Sequence, residues 1–367
     1  MWRLLNLRAL SFATAATAFL ALIIVIGSRN LQNFDAALVA YLFGTVFAFF
    51  GIAYRYAVWL QRPPTWRYFV RTWELLFSRQ FFPSLGLLIR DFVNRILAQR
   101  FIFNRSKKRW AGHMLMAWGC VLAFAVTIPL TFGWIQFGLK NGTIDTYEAW
   151  VFGFRVFEFP LSTILAFNVF HVLDWSAIAV IIGVAVMMRR RLTEPGLIAT
   201  QTFFGDWLPL ILLLAISVTG LGLTLDYDFL QGRVHQFMAT THALTVILFL
   251  IWIPFRKFFH IVQRPLQLGV DLYRIRGASG EQAVCPHTGA EFASKMHIDD
   301  LKVVTRQLGF NFDLGDAKSH LERACAATDR AATSKTNGVS SPAILYMLGI
   351  IKSSPWDAVN VVLKAPV

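Results

Sequence analysis

Cysteine and charge are both scarce in this chain. Of 367 residues only three are cysteines, Cys120, Cys285 and Cys325, and only 15% carry a charge. Three scattered thiols exclude a disulfide framework, and without a CxxC pair they exclude an iron–sulfur cluster held by the chain itself. Any redox centre here needs other ligands. So little charge, set against 56% hydrophobic residues and a positive mean hydropathy, excludes a soluble globular domain, because the apolar surface exceeds what one core can bury. The sequence also lacks a Gly-rich phosphate loop, an internal repeat and a metal signature. Cys285-Pro-His287 has no second ligand pair at metal spacing and reads as an ordinary loop.

What is present is a set of apolar runs with basic ends. The net charge of +14 comes from residues clustered where those runs stop, the pattern of loops facing anionic lipid. The expected partner is therefore the bilayer and not nucleic acid. Six runs are long enough to cross about 30 Å of hydrocarbon: Ala9–Ser28, Ala36–Tyr54, Gly112–Phe137, Leu161–Met188, Trp207–Leu225 and His235–Phe255. The first reads as a span and not as a cleaved leader, since it is long and no small-residue cleavage site follows. Arg62–Arg109, rich in arginine, and Arg189-Arg190-Arg191 belong on the cytoplasmic side. The loop around Asp145, Glu148 and Glu158 and a short turn at Asp226-Tyr227-Asp228 then lie outside, with both termini cytoplasmic.

The fold expected is an all-α integral membrane bundle of about six transmembrane helices, with cytoplasmic interfacial helices and a small cytoplasmic tail. Residues 1–35 form an additional N-terminal transmembrane helix and 36–263 the main bundle. Within it, 61–111 read as amphipathic helices lying on the membrane, where Pro63-Pro64, Trp66, Phe69 and Leu75-Leu76-Phe77 alternate with arginines. Residues 264–367 are mixed and polar, with a linker-like stretch at Thr333–Ser341.

Histidines carry the chemistry. A ligating side chain inside a span is costly and marks function by default. His113, His171, His235 and His242 lie in spans or at their edges, and His260 follows the last one. His242 and His260 are 18 residues apart, which is five whole turns, so on a continuous helix both rings leave one face about 27 Å apart. That separation suits two haems, one in each leaflet, with Pro254 between them as a possible kink. Each iron needs a second axial ligand at matching depth. His113, at the cytoplasmic start of the third span, matches His260; His171, in the outer half of the fourth, is the candidate for His242. His235 is a rival ligand position or a quinone-site residue. Asp174, one turn from His171, is placed to orient an imidazole or take a quinol proton. Arg256 and Lys257 are placed to neutralise haem propionates, although flanking cations also anchor spanning helices generally. Without cofactors, His171, Asp174 and His242 instead suit a transporter or a proton relay.

The run His242-Ala-Leu-Thr through Leu248-Phe-Leu, Pro254-Phe-Arg256 and His260-Ile resembles the last span of the gamma (cytochrome b) subunit of respiratory nitrate reductase. Related membrane subunits of heterodisulfide reductase and sulfite-reduction complexes share that pattern. In that family the last helix carries two haem-ligating histidines with a proline before the second, and His113 matches a third ligand near the start of an earlier span. The family's other histidine, about three turns further in, is replaced here by Ala123 and apolar neighbours, leaving His171 as the candidate fourth ligand. The resemblance runs from about Ala36 to Arg274; the first span and the long tail lie outside it. It implies two haems b, quinone as substrate, a cytoplasmic iron–sulfur or other redox partner subunit, and the inner membrane of a bacterium or archaeon. It implies a quinone-reactive subunit of an oxidoreductase complex and not an autonomous enzyme.

Overall fold

A computed structural model describes residues 6–284 and 289–309, the side chain of Arg256 excepted. Cys285, His287, Cys325 and Thr333–Ser341 lie outside the described residues. In chain order the helices and strands are α1 (Leu7–Gly27), α2 (Val39–Leu60), α3 (Pro63–Leu76), α4 (Phe81–Asp91), α5 (Arg100–Phe103), α6 (Lys107–Thr131), β1 (Ile135–Leu139), β2 (Thr146–Val151), β3 (Phe154–Pro160), α7 (Ile164–Thr193), α8 (Pro195–Ile198), α9 (Leu208–Leu230), α10 (His235–Trp252), α11 (His260–Ala278), β4 (Gln282–Val284), β5 (Glu291–Ser294) and α12 (Lys295–Gln307). Six helical stretches are long and apolar enough to span a membrane: Leu7–Gly27, Ala36–Leu60, Lys107–Thr131, Ile164–Thr193, Phe203–Leu230 and His235–Trp252. Each coincides with one of the six apolar runs, and the chain is an all-α, multi-pass membrane protein. Helices are forced here because lipid offers backbone groups no hydrogen bonds, so each span must satisfy its own. Large side chains such as Phe19, Phe43 and Phe167 stay exposed on these helices, as a lipid-facing surface requires.

Several span boundaries differ from the sequence reading, among them both ends of the third span and the end of the fifth. Helix α6 starts at Lys107, five residues early, because the Ser106 hydroxyl caps it by accepting from the Arg109 N–H. It stops at Thr131, since Gly133 turns with φ +67° and Ile135–Leu139 form a strand instead of completing the span. Helix α9 runs on to Leu230, so Asp226 and Asp228 are helical. The turn falls at Gln231 and Gly232, both with positive φ, and Asp226 Oδ1 fixes it by accepting from the Val234 N–H at 3.1 Å.

The described residues form two compact units, 6–59 with 92–264 and 60–91 with 265–309. The sequence division placed 61–111 with the bundle; the structure groups α3 and α4 with the first part of the tail. The first unit has its core where α7, α9 and α10 meet, at Val180, Val184, Leu210, Leu212, Leu213 and Phe249. Helices α6 and α7 approach closely through glycines, as membrane helices do when there is no hydrophobic drive between them. A Cβ on Gly183 would stand 2.6 Å from the Gly112 carbonyl oxygen, and one on Gly119 2.7 Å from Val180. Between α6 and α7 lies an antiparallel sheet in the order β1-β2-β3, with Gly138 opposite Glu148 and Glu148 opposite Glu158. Arg155 bridges Glu148 and Glu158 at 3.0 and 2.7 Å, and Lys140 reaches Glu158 at 2.7 Å.

In the second unit Asp300 of α12 is buried and receives Arg67 Nε at 2.6 Å, Arg71 Nε at 3.0 Å and the Tyr273 hydroxyl at 3.0 Å. Its charge and hydrogen bond hold Arg71 protonated well above the usual range, and burial with the Asp300 charge pushes the Tyr273 hydroxyl up.

Candidate functional site

Helix α10 does not continue to His260. It ends at Trp252, ahead of Pro254, which has no N–H to donate and whose ring disfavours helical geometry in the residue before it. Phe255 is extended, a single 3₁₀ turn follows over Arg256–Phe259, and His260 opens α11. His242 and His260 therefore do not share one continuous helical face. The break is held from α2. Arg55 Nη1 donates to the Pro254 carbonyl at 2.8 Å, its guanidinium covers the Phe259 ring at 4.3 Å, and Gly51 leaves room for the proline ring. Gly51 cannot take a side chain without displacing Pro254, because a Cβ would stand 2.7 Å from it.

This break positions His260. Its Nδ1 donates to the Lys257 carbonyl. Burial lowers its pKa against that hydrogen bond, and the cations of Arg264 and Lys257 add to the lowering, so the neutral ring is favoured. His260 and Arg264 both lie within electrostatic reach of His113 on α6. His113 Nδ1 is buried and has no hydrogen-bond partner among the described residues. Arg264 lies over the Phe101 ring at 4.8 Å.

The second predicted pair is organised by α9. Helix α7 starts at Ile164 and α10 at His235, so His171 and His242 each stand seven residues in, about 11 Å along their helices. His171 Nδ1 lies 2.8 Å from Asp174 Oδ2, and the other oxygen of Asp174 accepts from Thr224 Oγ1 at 2.8 Å. The Phe167 ring packs on the imidazole at 4.4 Å. On α10, His242 Nδ1 lies 3.0 Å from Thr219 Oγ1, and Gly220 lets the ring sit close to α9. No hydrogen bond, ion pair or ring contact joins His171 to His242 among the described residues.

The partners of these three rings all lie at Nδ1. A carboxylate and a carbonyl only accept, so Nδ1 carries the proton in His171 and His260. Thr219 Oγ1 also lies 2.7 Å from the Ala215 carbonyl, 3.1 Å from the Ile216 carbonyl and 3.3 Å from Thr245 Oγ1, so its hydroxyl can donate to the backbone while it accepts from His242 Nδ1. In three rings on three different helices the nitrogen that faces an oxygen is thus Nδ1, and the His242 ring also hydrogen-bonds the Ile216 backbone. Metal-ligating histidines adopt this arrangement, with Nδ1–H tied to an orienting acceptor and Nε2 left to the iron. The residues present fit an axially ligated haem on that count. Among the described residues no three His, Cys, Asp or Glu side chains converge as a protein-only metal site requires.

His235 is set apart. It is exposed at the start of α10, with Nδ1 3.8 Å from Asp226 Oδ2, whose side chain is fully buried. Lys257 is committed elsewhere: its ammonium pairs with Asp206, which also accepts from Arg191 Nη1 at 2.8 Å and from the Thr202 N–H at 2.9 Å. The side chain of Arg256 lies outside the described residues. Nearby, Glu194 holds Arg190 and Arg109 at 2.9 and 3.0 Å, and those hydrogen bonds hold its carboxyl below the usual range. Sequence reasoning missed Thr219, Thr224, Asp206 and Arg55. The only signal for the two threonines was a hydroxyl in an apolar run, Ser217-Val-Thr219-Gly-Leu-Gly-Leu-Thr224, where threonines most often bond their own backbone.

No family model matches the chain, and no curated protein or solved structure matches it.

Proposed function

We propose that this protein is a cytochrome-b-type membrane subunit that carries electrons between quinone and a redox partner, with His113 and His260 gripping one haem and His171 and His242 another. The observation that carries this reading is that His171, His242 and His260 each set Nδ1 against an oxygen, of Asp174, Thr219 and the Lys257 carbonyl. When bound, haem supplies an iron that takes up and gives back one electron at a time. The chain's own part is to aim the imidazoles and exclude water. Asp174 fixes the His171 ring, Thr219 the His242 ring and the Lys257 carbonyl the His260 ring. Asp174 also offers a carboxylate to a quinol proton, and His235 beside Asp226 offers a route for that proton to water. Arg264, within electrostatic reach of His113, suits a propionate.

By the positive-inside rule the arginine-rich ends of α6 and α7 face the cytoplasm, where an iron–sulfur or other redox subunit docks, in the inner membrane of a bacterium or archaeon. A second reading has one observation behind it. The chain His171, Asp174, Thr224 links two spans by hydrogen bonds and serves equally as a proton relay in a cofactor-free transporter. A reduced-minus-oxidised visible spectrum of protein purified from haem-sufficient cells separates the two. The first reading expects b-type bands that decrease in His260→Ala and His242→Ala; a colourless, folded protein supports the second and overturns the first.

A further inference from the structure

Helix α3 has two faces with different fates. Arg67, Tyr68, Arg71 and Thr72 lie on one, and that face is occupied: the arginines reach Asp300, Tyr68 meets the Tyr273 ring edge-on at 5.0 Å, and Thr72 fills the space over Gly269. Trp66, Phe69, Trp73 and Phe77, spaced i, i+3, i+7 and i+11, fall on the opposite face. Helix α4 repeats the division. Ser84 is buried and receives Arg276 Nη2 at 2.9 Å, while Phe82 and Ile89 point away from that contact. The rings of the free face form one ladder. Trp66–Phe69, Phe69–Trp73, Trp73–Phe77, Phe77–Phe81 and Phe81–Phe82 stand 5.6, 6.0, 5.7, 6.0 and 5.3 Å apart between centroids. Yet Trp66 is 50%, Phe77 68% and Phe82 81% exposed, far more than rings so closely ordered would retain in water without a cover.

We propose that this aromatic stripe is a docking surface for the headgroup boundary of an anionic bilayer, so that α3 and α4 lie between lipid and the tail helices α11 and α12. Three observations select lipid. Tryptophan and phenylalanine on one side of a helix are the side chains that partition to the membrane interface. Arg62 and Arg79 are exposed beside the stripe, and Arg90, also exposed, is paired with Asp91 at 3.3 Å, whereas Glu74 is the one exposed acid across α3 and α4, so the charge complements anionic headgroups. Only Gln61 and Arg62 separate α3 from Leu60, the last residue of a membrane-spanning helix, so the chain enters the stripe directly from the bilayer.

The test uses the full chain, with Cys120, Cys285 and Cys325 replaced by serine, in nanodiscs of phosphatidylcholine with or without phosphatidylglycerol. A nitroxide on Phe77→Cys should collide with lipid-dissolved oxygen in preference to an aqueous nickel complex, and sit deeper when phosphatidylglycerol is present. A label on Asp299→Cys, exposed on α12, should favour the nickel complex in both discs. A Phe77→Cys label that is water-exposed in both discs overturns the proposal, as does one shielded only after a soluble protein is added; equal depth in both discs overturns its anionic part. Should the label disturb the stripe, a photoactivatable phosphatidylglycerol added to unlabelled protein should mark peptides from 63–82 and lose that mark in Trp73→Ser/Phe77→Ser; undiminished marking overturns the proposal.

Discussion

At the scale of single residues, the account turns on what holds each imidazole. His171 and His242 are oriented by side chains, Asp174 and Thr219, whereas His260 is oriented by a backbone carbonyl that no substitution removes. Removing an orienting partner of a metal-bound histidine typically costs about 10–100-fold in affinity, so Asp174→Asn and Thr219→Val should each lose haem by roughly that factor in competition with apomyoglobin. An unchanged haem-to-protein ratio throughout the competition would show that these contacts only pack. The histidines themselves were legible in the sequence, because an imidazole in an apolar run stands out. Their orienting partners were not: those depend on Thr219 lying 23 residues from His242 in sequence and on which carbonyl lies behind His260.

At the scale of elements, the six spans could be read from length and charge alone, since bilayer thickness sets one and lipid excludes the other. The three-stranded sheet could not. Its strands are five to seven residues long and their residues read equally as an irregular acidic loop until the cross-strand pairs of Arg155 and Lys140 are seen. The break after Trp252 was half legible: Pro254 announces a disturbance, but Arg55, 199 residues away, fixes its form. Arg55→Leu should leave the Pro254 carbonyl without its donor, cost about 1–3 kcal/mol, and loosen the haem at His260 while sparing the one at His242. Haem content and thermal unfolding of that variant would measure both effects. Two glycines should answer oppositely. Gly183→Val forces a side chain against the α6 backbone and should destabilise the bundle by about 1–3 kcal/mol. Gly86→Ala in α4 meets nothing within 4 Å and should stabilise its helix by about 0.5–1 kcal/mol. Unfolding midpoints with the same sign for both would contradict the packing described here.

At the scale of the whole molecule, two units are assembled from interleaved stretches of chain, and no local pattern reveals that. Asp300 meets Arg67 across 233 residues of sequence. An acid in a polar tail helix and an arginine beside a membrane span each look like ordinary solvated charges until they meet. The Asp300 cluster gives the second unit a pH dependence of definite sign. Tyr273 has a folded pKa raised by burial and by Asp300, so its contribution is fully present below the ordinary tyrosine value of about 10 and is lost as pH rises beyond it. Proteolysis of the 265–309 segment should therefore accelerate above about pH 10 and do so less steeply in Tyr273→Phe.

The central claim, that imidazole Nε2 atoms at two places in one membrane bundle are iron ligands, is tested most directly by near-infrared magnetic circular dichroism of the oxidised holoprotein. The account predicts the charge-transfer signature of low-spin haem held by two histidines, reduced by half in either His260→Ala or His242→Ala. A high-spin or mixed-ligand signature from the intact protein, or no haem signal after expression with abundant haem, would contradict it.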